Sequence, residues 1–125
     1  MNGRSREAHL RFAARRRRED EARRLRDELP QLRTLKLEVE EHRREATIAE
    51  TKHVRHILVD RAPALFELPC NDPSCRDGGH DLTDAMTQRL RARVSEFVLE
   101  DVCMGDVRGS PCGRVTRVVA FATYS

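Results

Sequence analysis

The chain has 125 residues, a net charge of +3 with histidine neutral, 36% charged residues and 38% hydrophobic ones. That length suits one domain plus an appendage. The polarity excludes a large apolar core, and no stretch approaches the roughly 20 apolar residues of a membrane-spanning helix.

No apolar signal-peptide run opens the sequence. Glu7, Glu19, Asp20 and Glu21 argue against a transit peptide, so a cytoplasmic location is expected. The basic residues are arginine except Lys36 and Lys52, a bias expected of a GC-rich bacterial genome. Residues 1–30 hold ten arginines against six acids, a net of +4, and the remainder is close to neutral.

Residues 5–29 read as a helix, with Ser5 as N-cap, good helix formers throughout and Pro30 as the stop. Its apolar face is thin (Leu10, Ala14, Leu25, Leu29), so it is expected to be a solvated or binding arm over residues 1–30. Residues 33–41 alternate, with Leu35, Leu37 and Val39 on one side and Lys36, Glu38 and Glu40 on the other, the period of a half-buried strand. A rival seven-residue pattern would make residues 31–56 one long helix, but its seam would carry three histidines and two alanines. Residues 53–60 read as a second strand, and residues 70–80 as a Pro/Asn/Asp/Gly loop.

A helix capped by Asp81 or Thr83 follows, its apolar face drawn from Leu82, Met86, Leu90, Val94 and Phe97. Residues 96–103 and 114–124 read as strands joined by the Gly/Pro turn 104–113. The order α-β-β-α-β-β, without βαβ alternation, argues an α+β domain over residues 31–125: a small antiparallel sheet with one packed helix.

All four cysteines lie at strand ends or turns. Four residues separate Cys70 from Cys75 in the loop, and eight separate Cys103 from Cys112 across the last turn. In a reducing compartment such cysteines point to a metal before a disulfide, with plain buried thiols as the alternative. A structural zinc needs four ligands in a tetrahedron, and a chain that turns between two cysteines supplies two of them. In outline this resembles a zinc ribbon, although the ribbon separates the cysteines of a pair by about two residues. Gly113, directly after Cys112, is expected to let amide N–H groups point at sulfur.

His80 is an alternative ligand, with Asp81 as its orienting partner; the plainer expectation is that it decorates a turn before a helix. A catalytic site would keep three protein ligands and an open position, with Glu67 or Asp81 as base, yet no deaminase-type His-x-Glu with Pro-Cys-x-x-Cys is present. The remaining histidines, His42, His53 and His56, are expected to be ordinary polar residues, because His53 and His56 face opposite sides of a strand.

The arginines Arg11, Arg15, Arg16, Arg17, Arg18, Arg23 and Arg24 are the candidate phosphate contacts. Against that role, Glu7–Arg11, Glu19–Arg23 and Asp20–Arg24 are spaced to pair along the helix, and 4% aromatic residues leave little for base stacking. The expectation is a non-enzymatic module with structural zinc that associates with nucleic acid or nucleoprotein through the arm. The alternatives are a protein-interaction or homo-oligomeric assembly module, or a small zinc-dependent hydrolase or deaminase.

Overall fold

A computed structural model of the protein describes residues 3–46 and 48–125, the side chains of residues 3–8 excepted. The Ser5 cap and the Glu7–Arg11 pair fall outside the described side chains. The fold is mixed α and β with antiparallel sheets. Among the described residues no helix is long and apolar enough to cross a membrane.

The expected first helix is two helices. α1 runs Gly3–Glu21 and α2 is the short Leu25–Glu28. The break has a tertiary cause: Arg24 forms an isolated β-bridge with Pro63, Leu25 N–H donates to the Ala62 carbonyl, and Ala64 N–H donates to the Arg23 carbonyl. Main-chain groups at 23–25 are thus committed to the 62–64 segment. Leu25 and Leu29 then enter the core at 0% and 3% exposure, so the last part of the expected solvated arm is core.

Alternation over 33–41 gives β1, Leu32–His42, and the long-helix rival does not form. β2, Thr51–Ile57, pairs with it antiparallel and ends before Leu58, which is exposed. Three two-residue strands follow: β3 (Glu67–Leu68), β4 (Cys75–Arg76) and β5 (His80–Asp81). α3 is Thr83–Arg91, opened by the Asp81 carboxylate accepting from Thr83 N–H. It buries Met86 and Leu90 and stops short of Val94 and Phe97, because Arg93 turns the chain with φ +58°. β6 (Glu96–Val102), β7 (Asp106–Val107), β8 (Ser110–Pro111) and β9 (Val115–Tyr124) complete the chain. The order therefore contains a second short helix and five two-residue strands beyond α-β-β-α-β-β.

The main sheet has the order β2-β1-β9-β6, all antiparallel. Its inner face carries Leu35, Leu37 and Val39 from β1, Val118, Ala120 and Ala122 from β9, and Phe97 and Leu99 from β6, under Leu25, Leu29, Met86 and Leu90. One row further along, the inner face turns polar: Glu41, Thr116 and Asp101 stand side by side. Beyond that row lies a lobe built from residues 69–81 and 103–114, where β4, β7 and β8 form a three-stranded sheet. The apolar core has no member between Leu68 and Leu82 or between Leu99 and Val118.

Candidate metal centre

The lobe has no apolar core, and its centre is occupied by sulfur. Cys70, Cys75, Cys103 and Cys112 place their Sγ atoms within 4.8 Å of one another. Cys75 to Cys103 is 3.6 Å and Cys70 to Cys112 is 3.7 Å. A disulfide requires about 2.05 Å, so these are four free thiols. A tetrahedron with metal–sulfur bonds of about 2.3 Å has S···S edges of about 3.8 Å, close to the two shortest separations here. The four cysteines could therefore hold one metal ion.

Each sulfur reaches the cluster for a local reason. Cys103 continues the inner face of β6, after Phe97, Leu99 and Asp101, and is 1% exposed. Cys112 leaves β8, and its N–H donates to the Gly105 carbonyl across the turn. Asp72 builds the first turn: its carboxylate accepts from Ser74 N–H, and its carbonyl accepts from Cys75 N–H. This pairing fixes the separation of Cys70 and Cys75.

Two glycines leave room for the sulfurs. A Cβ on Gly78 would stand 2.4 Å from Cys75 Sγ and 2.5 Å from Cys103 Sγ. One on Gly105 would stand 2.4 Å from Cys75 Sγ and 2.7 Å from the Arg76 carbonyl oxygen. Gly79 N–H donates to Cys103 Sγ at 3.3 Å. Gly113, expected to serve this purpose, instead donates its N–H to the Cys103 carbonyl.

Burial pushes the Cys70 thiol up to about 12 and the Cys75 thiol higher still, while a backbone hydrogen bond at Asp72 partly opposes the rise at Cys70. For Cys103, burial also raises the value, but backbone hydrogen bonds at Gly79 and Gly105, together with hydrogen bonds from the Cys75 and Cys112 thiols, turn the net shift downward. Cys103 is thus the sulfur best prepared to carry negative charge.

His80 lies outside the sulfur cluster. Its ring is buried, with Nδ1 2.8 Å from Asp101 Oδ2 and Nε2 3.7 Å from Glu41 Oε2. Neither expected base faces the sulfurs as a free group: Glu67 receives a bidentate contact from Arg18 at 2.9–3.3 Å, and Asp81 accepts from Thr83 N–H ahead of α3, whose N-cap position is Leu82 rather than the expected Asp81 or Thr83. His53 and His56 occupy opposite faces of β2, as a strand requires.

Sequence reasoning missed the polar layer beneath the lobe. Glu41 is 2% exposed and accepts from Arg114 Nε, from Asn71 N–H at 3.2 Å and from Asn71 Nδ2 at 3.3 Å. Asn71 is the neighbour of Cys70, and Arg114 lies two residues past Cys112. One carboxylate therefore fastens both outer cysteine segments to β1. The signal was present: Glu41 continues the inward series Leu35, Leu37, Val39.

The candidate arginines are divided among several tasks. Arg18 binds Glu67, Arg23 binds Glu28 at 2.9 Å, and Arg24 Nη1 donates to the Arg61 carbonyl at 2.6 Å. Arg15 lies over the Phe12 ring. The expected Glu19–Arg23 and Asp20–Arg24 pairs are not among the ion pairs of the described residues, because α1 ends at Glu21 and the helical spacing is lost. Arg11, Arg15 and Arg18 line a groove of about 670 Å³ against the cysteine lobe, while Arg16 and Arg17 do not line it. The seven arginines do not form a single cationic stripe.

Fold and site together define a small α+β protein with a four-cysteine cluster capable of holding a metal ion. No protein-family model, curated protein or solved structure matches the chain.

Proposed function

We propose that this chain is a non-enzymatic interaction module whose distal lobe is held by a structural zinc ion on Cys70, Cys75, Cys103 and Cys112. The observation that carries the reading is that the lobe has sulfur where other parts of the chain have leucine and valine. Zinc suits a tetrahedral set of four thiolates, and four sulfurs close its shell, leaving no open position for a substrate or an activated water. The free energy of structural zinc binding, about 10–16 kcal/mol in small peptides, is large enough to organise a segment with no core of its own.

Elemental analysis of purified protein with a thiol count tests the proposal: one zinc per chain supports it, and iron or no metal at all would refute it. Cobalt substitution adds the shell. A closed four-sulfur spectrum supports a structural site, whereas a mixed open shell would favour the hydrolase or deaminase reading.

Contact with nucleic acid or nucleoprotein through the arm is the second reading. Its support is that Arg11, Arg16 and Arg17 have no ion-pair partner among the described residues and are exposed. Their spread around the helix argues against a close grip on one backbone. Salt-dependent binding to mixed-sequence DNA or RNA, lost on removing residues 1–21, would establish it.

A further inference from the structure

The main sheet is open at both sides. Among the described residues, β2 makes main-chain hydrogen bonds only with β1, and β6 only with β9. Both edge strands are seven residues long. An unpaired strand of that length is a template for another strand unless its side chains forbid pairing.

The two edges differ in sign. β2 carries Lys52 and Arg55, with His53 and His56, and no acid. β6 carries Glu96, Glu100 and Asp101, and no base. Pairing of like edges is opposed on charge: an antiparallel β6–β6 pair centred on Val98 sets Glu96 opposite Glu100. Pairing of unlike edges has no such barrier.

The sheet's geometry permits the unlike pairing. Its strands are four in number and all antiparallel, so β2 and β6 run antiparallel to each other. On the outer face the rows read Lys52–Glu40–Arg117–Glu100, Val54–Glu38–Val119–Val98 and His56–Lys36–Phe121–Glu96. Extending these rows into a second copy sets Lys52 opposite Glu100, Val54 opposite Val98 and His56 opposite Glu96. On the inner face it sets Arg55 opposite Phe97 and Thr51 opposite Asp101. Slipping the register by two residues either way places Val54 opposite a glutamate and removes the Lys52–Glu100 match. Val54 and Val98 are 56% and 42% exposed, so both have apolar surface to lose.

We infer that the partner of this interaction module is a second copy of the same chain, with β2 of one copy adding to β6 of the next to continue the sheet. This deepens the interaction-module reading and rests on it. The contact is heterologous, so assembly continues past the dimer unless the rotation between copies closes a ring.

The test uses the full chain with its metal, followed by sedimentation at low salt over a range of concentrations. Wild type should grow in mass with concentration and pass the dimer, and added salt should weaken the growth. Lys52→Glu sets two acids face to face at the Lys52–Glu100 position, and Glu100→Lys sets two bases there. Each variant alone should associate at least tenfold more weakly, and an equimolar mixture should recover association. Circular dichroism and metal content of each variant guard against misfolding; Lys52 and Glu100 are exposed on the outer face of the sheet, opposite the inner-face position of Cys103.

A wild-type chain that stays monomeric, single variants that associate like wild type, or a mixture that fails to recover would each overturn the inference. A mass that stops at the dimer would also overturn the head-to-tail contact. Metal content, measured separately, shows whether the zinc reading stands or falls independently of these outcomes.

Discussion

Arg114 donates its Nε hydrogen to Glu41 Oε1, which joins the last inward position of β1 to the strand that leaves the Cys112 turn. Both side chains are nearly buried, at 11% and 3% exposure. Such a pair adds little net stability, but breaking it strands a charge, at a cost of about 3–5 kcal/mol. Glu41→Ala should lose that much in urea unfolding of the metal-loaded protein. It should also weaken metal retention, because Asn71 beside Cys70 loses both contacts to the carboxylate and keeps only that to the Thr51 hydroxyl at 3.4 Å. Glu41→Ala with Arg114→Met should recover much of the stability. A Glu41→Ala chain as stable as wild type would mean that water replaces the carboxylate.

The close approach of Gly78 and Gly105 to sulfur yields a contrast between glycines. Gly78→Ala and Gly105→Ala each put a methyl group inside the sulfur cluster and should lose the metal, read by elemental analysis after gel filtration. Gly109 has φ +86° and no atom within 4 Å of a would-be Cβ. Asparagine tolerates positive φ, so Gly109→Asn should keep full metal content. Loss of metal in all three variants would point to general fragility of the lobe.

Ligand substitution follows the same geometry. Cys70→Ser and Cys112→Ser should each abolish metal retention and expose the lobe to protease, and Cys103→Ser, at the most buried position, should be the most damaging. Each sulfur must shed its proton to bind metal. Burial holds Cys70 and Cys75 as neutral thiols, Cys70 up to about 12, so protons leave as metal enters. Metal affinity should therefore rise with pH and fall as pH drops. At neutral pH zinc binding should release at least the two protons of Cys70 and Cys75, measurable by calorimetry in buffers of differing ionisation enthalpy.

The parts of the fold legible in the sequence are those where a single period governs a whole segment. Leu35, Leu37 and Val39 announced a strand, Met86 and Leu90 a helix face, and the four cysteines fell at turns that bring their sulfurs together. The failures occur where distant segments decide. Leu25 and Leu29 looked like sparse residues on a polar helix, yet the 62–64 segment captures the main chain at 23–25 and turns them inward. The two-residue strands have no period to detect. Gly113 looked poised to serve sulfur because it follows a cysteine, but contact with sulfur was decided by Gly78 and Gly105, which approach it from other turns.

The joint at 22–24 separates α1 from the rest. Among the described residues, the ion pair tying α1 to the body is Arg18–Glu67, whose arginine is 53% exposed. A surface pair of this kind contributes about 0–1 kcal/mol. Deleting residues 1–21 should leave metal content unchanged and shift unfolding very little, whereas deletion through Leu29 should destabilise the sheet by removing two core leucines. A large loss on the shorter deletion would assign α1 a structural role.

The sulfur cluster also bears on how quickly the ion comes and goes. The paired sulfurs lie 28 and 42 residues apart in the chain. Closing loops of that size in a loose chain would forfeit roughly 4 kcal/mol of entropy each. Here the Cys75–Val107 pairing and the Glu41 contacts to Asn71 and Arg114 share that cost with the ion, so the ion does not close the loops unaided. Escape of a bound ion should then require local fraying at the end of the β6–β9 ladder, where Cys103 follows Val102. Metal exchange should accordingly slow whenever that ladder is reinforced, even by a substitution that touches no sulfur.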